Sequence, residues 1–115
     1  MLNESYSLNN DVVVKLFEDL DAEAVKTMKD DLESYSSLSS DIVIDLTDVN
    51  FIDSSGIGAI VFLYKRMVAK GKLVSVVGLN EQPKDLFKML LLDQTIHCFE
   101  NIEHYVVESV MPKAV

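Results

Sequence analysis

The sequence predicts a single α/β domain over residues 1–115, with a mixed sheet of four or five strands and about four helices packed mainly on one face. Two observations predict it. Short β-branched runs alternate with segments whose apolar residues recur every three or four positions, the sequence form of strands joined by crossover helices. The best-defined strand also leads through a polar loop directly into the best-defined helix, as a right-handed crossover requires.

Taken in order, residues 4–8 read as a short edge strand. Val12-Val13-Val14, extended to Phe17, reads as a stronger one because β-branched residues cluster there. If these two pair antiparallel, the sheet is mixed. Asp19 or Asp21 suits a helix N-cap, its carboxylate meeting free backbone N–H groups. A helix over 22–35 sets Val25, Met28, Leu32 and Tyr35 on one face and Lys26, Asp30, Asp31 and Glu33 on a solvated side. Residues 36–40 follow as a loop.

Ile42-Val43-Ile44, closed by Leu46 after Asp45, reads as a buried strand, and residues 47–50 carry turn chemistry. From Ile57 the apolar positions Ile57, Ile60, Val61, Tyr64, Met67 and Val68 form a helical core stripe. Lys70-Gly71-Lys72 is a helix stop, with Gly71 at the left-handed position. Residues 73–77 form another strand, ended by Gly78. Pro83 suits the first turn of a third helix with Leu86, Phe87 and Leu90 in the core. Residues 95–99 form a final strand. Asn101 caps a last helix holding Ile102, Tyr105, Val106 and Val110 and ending before Pro112.

Composition narrows the function. A chain of 115 residues buries roughly two thirds of its unfolded surface, enough for a core without metal or disulfide. The net charge of −9, with ten scattered Lys and Arg, excludes a phosphate-tracking surface: neither nucleic acid nor an anionic membrane is an expected partner. No apolar run reaches the roughly 20 residues of a membrane span, and residues 1–8 lack the features of a signal peptide. Cys98 stands alone, a buried spectator thiol rather than half of a disulfide. A cytoplasmic protein is expected.

The chemistry concentrates at Asp53-Ser54-Ser55-Gly56-Ile57-Gly58, where two hydroxyls open a helix beside two glycines. A nucleophile elbow needs glycines two before and two after the serine; Ser54 follows Ile52 and Ser55 follows Asp53, so a hydrolase is not indicated. His97 and His104 lie outside any catalytic context, and no His or Cys cluster has metal-ligand spacing. Gly56-Ile57-Gly58 is followed by Val61 where a dinucleotide fingerprint requires glycine or alanine, and no phosphate-loop lysine is present; neither a cofactor nor a nucleotide is expected. Asp53 or Ser54 can cap the helix, but a cap does not account for the glycines, each costing about 1 kcal/mol relative to alanine in a helix. Missing side chains let another backbone or a partner approach. Ser55, Gly58, Ala59, Phe62 and Arg66 fall opposite the expected core stripe, so they mark a candidate partner surface with Phe62 as aromatic anchor, unless another element covers it.

These residues resemble a known family. The segment 42–64, with Phe51-Ile52-Asp53-Ser54-Ser55-Gly56-Ile57-Gly58 after its strand and loop, is similar to the signature of STAS domains, above all bacterial anti-sigma-factor antagonists and related partner-switching regulators. The similarity runs more loosely through 16–21, 78–92 and the closing helix. It implies a STAS-like fold and a non-enzymatic phosphoprotein acting in signal transduction and transcription regulation. By that resemblance the phosphoacceptor is the serine directly after the aspartate, Ser54, with Asp53, Ser55, Gly56 and Gly58 around it. The implied partners are an anti-sigma-type serine kinase and a metal-dependent serine phosphatase. Alternatives are a constitutive STAS adaptor in a larger complex and a nucleotide-binding STAS domain. The chain departs from the family in carrying Glu18-Asp19-Leu20-Asp21 where Gly-Glu-Leu-Asp is common, and Met89-Leu90-Leu91-Leu92 in a segment that often contains glycine.

Overall fold

Five strands lie side by side in the order of the sequence. In a computed structural model, which describes residues 2–110, β1 (Asn3–Leu8) pairs antiparallel with β2 (Asp11–Leu16). The other strands, β3 (Ile42–Asp45), β4 (Val74–Val77) and β5 (His97–Phe99), continue parallel from β2, so the sheet is mixed as expected. Asn9 and Asn10, both at positive φ, make the two-residue hairpin between β1 and β2, a turn asparagine tolerates well.

The central parallel strands β3 and β4 are buried on both faces, which is why they read as apolar runs. Val14, Ile42, Ile44, Val74 and Val76 point to the main core, where Leu20, Ile60, Leu63, Met67 and the fully buried Phe87 meet them. Val13, Val43 and Val77 point the other way and are covered by Tyr105 of α5 (Ile102–Val110). Among the described residues, four of the five α-helices therefore share one face. The expected stop before Pro112 lies outside the described residues, as does the Val110 side chain.

The single helix expected over 22–35 is two: α1 (Ala22–Thr27) and α2 (Lys29–Ser36), broken at Met28, which is buried at the joint. Asp21 is the N-cap, its Oδ1 accepting from the Ala24 amide at 2.8 Å. Asp19 instead accepts from the Asn50 and Phe51 amides, holding the loop before α3 (Ser54–Ala69). That helix ends as expected at Gly71 (φ 75), where the Gly71 and Lys72 amides close on Val68 and Met67 carbonyls.

Two core assignments need correction. In α3 the buried positions are Gly56, Ala59, Ile60, Leu63 and Met67; Val68 is 45% exposed, while Ile57, Val61 and Tyr64 are half-buried. This helix is apolar on nearly every side, so spacing alone did not fix which side faces inward. In α4 (Glu81–Met89), Phe87 and Pro83 are buried and Leu86 half-buried, but Leu90 lies past the last turn and is exposed.

Leu91 follows in the left-handed conformation (φ 59), the place after a helix that favours glycine, and it is itself exposed. A β-carbon there costs about 1–2 kcal/mol, and its exposed side chain returns little packing. Leu91→Gly is expected to raise stability by about 0.5–1 kcal/mol after the added chain entropy of glycine, read as a higher urea midpoint with unchanged slope.

Candidate functional site

The sequence-predicted site lies beyond the carboxyl ends of the parallel strands, in the connection from β3 to α3. The loop is held at almost every residue. Asp45, buried at the end of β3, accepts from the Thr47 amide and hydroxyl. Asn80 donates to the Thr47 and Val49 carbonyls, and the Gln82 amide pairs with both backbone groups of Ile52. Leu20 and Ile52 form a parallel bridge, extended by the Asp53 amide donating to the Leu20 carbonyl.

Asp53 is the N-cap of α3: its Oδ1 accepts from the Gly56 amide at 3.0 Å. Its Oδ2 accepts from the Ala22 amide at 3.1 Å, so one carboxylate joins the N-terminal ends of α1 and α3. Asp53→Ala is expected to cost about 1–2 kcal/mol, and Asp53→Asn considerably less, measured as the shift in unfolding free energy.

Ser54 occupies the first helical position, where its side chain is exposed. Ser55, next along, is half-buried at the mouth of a groove. The two hydroxyls are therefore not equivalent: one faces solvent and the other faces α1.

The two glycines separate just as clearly. A β-carbon on Gly56 would stand 2.4 Å from the Leu20 carbonyl oxygen and 2.7 Å from Ile52 Cγ2, whereas one on Gly58 meets nothing within 4 Å. The expectation that both glycines open space for a partner is corrected for Gly56, which is buried and lets Leu20 of the same chain approach. Gly58 is exposed.

Of the candidate partner residues, Ser55, Gly58, Ala59 and Phe62 line one groove of about 350 Å³ together with Val25, Lys26, Lys29, Leu32 and Glu33 of α1 and α2. Ala59 was expected to face outward; it is 8% exposed and forms the floor. Phe62 is half-buried as one wall, and the Arg66 guanidinium sits 4.8 Å from its ring centre. Sequence reasoning missed the opposite wall: Val25 and Leu32 were placed on one face of the first helix, away from its solvated side, and both are only half-buried.

The other reactive groups lie elsewhere. Burial, aided by Asp93, pushes the Cys98 thiol up to about 11, and it donates to the Ile96 carbonyl, which suits the spectator role. His97 and His104 are exposed. Among the described residues no group of His, Cys, Asp and Glu is arranged to hold a metal ion, and no helix is long and apolar enough to cross a membrane.

A model of the STAS domain matches residues 4–104, nearly all of the chain. The chain belongs to the STAS domain family. Its fold agrees with solved structures. A candidate anti-sigma factor antagonist from Thermotoga maritima superposes with a TM-score of 0.85 at 21% identity, covering 92% of each chain. The Bacillus cell fate determinant SpoIIAA in its phosphorylated form gives 0.71 at 18% identity, over 95% of this STAS domain and 99% of SpoIIAA. A sulfate transporter family protein from Wolinella succinogenes gives 0.76 at 10% identity, over 90% and 88% of the two chains. At these identities the likeness is one of fold.

Proposed function

We propose that this STAS domain is a phosphorylation-controlled protein-binding switch of the anti-sigma-factor-antagonist type. The unphosphorylated form binds a cognate anti-sigma-type serine kinase in the cytoplasm. Transfer of phosphate to Ser54 releases the complex, and a metal-dependent serine phosphatase restores it. The domain performs no catalysis itself.

One observation carries the reading: a solvent-exposed hydroxyl opens α3 beside the uncovered Gly58, on a loop held from Asp45 to Asp53. A rigid platform suits a switch in which the partner, not the fold, registers the change. Phosphate adds about −1.5 to −2 charges. The α3 N-terminus favours an anion there and the Asp53 carboxylate opposes it, so the domain is expected to stay folded in both states. That SpoIIAA, a protein of the same fold, has a phosphorylated form supports the reading.

A constitutive adaptor is the competing reading, favoured by the fold shared with the sulfate transporter family protein. Intact mass and peptide mapping of the protein from its own host distinguish them. The switch predicts a fraction carrying one phosphate on Ser54, absent from Ser54→Ala; an adaptor shows no phosphate under any growth condition.

A further inference from the structure

The groove beside Ser54 has chemistry of its own. Its walls run along the axes of the flanking helices, with Val25, Lys29 and Leu32 on one side and Ser55, Gly58, Ala59 and Phe62 on the other, each set at helical spacing. The trough is tied at one end by the Asp53 carboxylate on the Ala22 amide. At the other, the Lys70 ammonium reaches the Ser36 and Leu38 carbonyls. An apolar trough between α3 on one side and the successive helices α1 and α2 on the other fits a further helix laid into it.

Charge identifies the kind of helix. The chain carries −9 overall, yet Lys26 and Lys29 line this groove and Arg66 stacks on its Phe62 wall, against the single acid Glu33. Among the described residues the ion pairs are Lys15 with Asp48 and His104 with Glu108, so neither groove lysine is engaged. Beyond α1 the sign reverses: Glu18, Asp19, Asp21, Glu23 and Asp48 surround the neighbouring hollow.

We propose that the groove seats an amphipathic helix of the partner, with an apolar anchor against Phe62 and carboxylates over Lys26 and Lys29. The inference rests on the partner surface proposed above and adds the chemistry of its occupant. It also gives phosphorylation a specific target. A dianion on Ser54, one helical turn before Gly58 at the groove's edge, repels the carboxylates that the lysines attract.

A matched pair of probes tests this on the isolated chain: anilinonaphthalene sulfonate and its neutral parent, phenylnaphthylamine, which differ by one anionic group. The sulfonate is expected to bind about fivefold tighter, with amide shifts at Val25, Leu32, Gly58 and Phe62. The preference should vanish in Lys26→Ala/Lys29→Ala, while Phe62→Ala weakens both probes alike. Genetically encoded phosphoserine at 54 should remove the preference without any kinase. Equal binding of the two probes, shifts confined to another surface, or a preference that survives loss of both lysines overturns the proposal. So does a lipid retained in the native mass spectrum of host-purified protein, or a dimer in sedimentation that Phe62→Ala dissociates, since each names a different occupant. A chain never phosphorylated in its host but selective for the anionic probe would refute the switch and leave the groove assignment standing.

Discussion

Ser54→Glu is expected to bind the cognate kinase at least about a hundredfold more weakly than Ser54→Ala, which should bind like the unmodified protein. The asymmetry follows from the position. The Ser54 side chain is exposed at the first position of α3, so removing its hydroxyl disturbs no internal packing. Adding a carboxylate places charge where a partner packed on Gly58 must exclude water. A loss of about 3 kcal/mol corresponds to more than a hundredfold in affinity, within reach of one desolvated like-charge contact. Stability should move by no more than about 0.5 kcal/mol in either variant, as for surface substitutions generally. Surface plasmon resonance against the purified kinase, with urea unfolding as the control, reads both numbers. Equal affinity of the two variants would remove Ser54 from the switch.

Gly56→Ala should destabilise the domain by about 2 kcal/mol, while Gly58→Ala, two residues along the same helix, should stabilise it by up to about 1 kcal/mol. Alanine is the better helix former at both positions by about 1 kcal/mol. At Gly58 nothing opposes that gain, since the new methyl enters open space. At Gly56 the methyl meets the Leu20 carbonyl oxygen at 2.4 Å, and this oxygen already accepts the Asp53 amide. Backbone must shift, and overpacking of this kind typically costs 1–3 kcal/mol. The displaced strand segment also carries the Leu20–Ile52 bridge that supports the loop, so the gain in propensity is outweighed. Urea midpoints of the two variants check the opposite signs; two shifts of the same sign would show that Leu20 yields freely.

Much of the fold was legible because the strands carry their own signals. Buried parallel strands such as Ile42–Asp45 and Val74–Val77 need apolar residues on both faces, and a run of β-branched residues has few other uses. The start of α3 was legible for a similar reason: aspartate before serines is local capping chemistry, which depends little on the rest of the chain. What could not be read depended on contacts far along the sequence. Gly56 is glycine because of Leu20, thirty-six positions earlier, and Asp19 serves the loop at Asn50 and Phe51 rather than a helix. The inward face of α3 was misplaced because Ile57, Val61, Phe62, Leu63, Tyr64 and Val68 leave few polar residues to mark the outside. The break at Met28 left no trace either, since Thr27 and Lys29 are ordinary helix residues and the buried Met28 suits a continuous stripe equally well.

The central claim is tested most directly by titrating the kinase, in a calorimeter, with one preparation in three states: unphosphorylated, phosphorylated on Ser54, and dephosphorylated again. The account predicts tight binding, loss of detectable heat, and full recovery. The same affinity in all three states would contradict it.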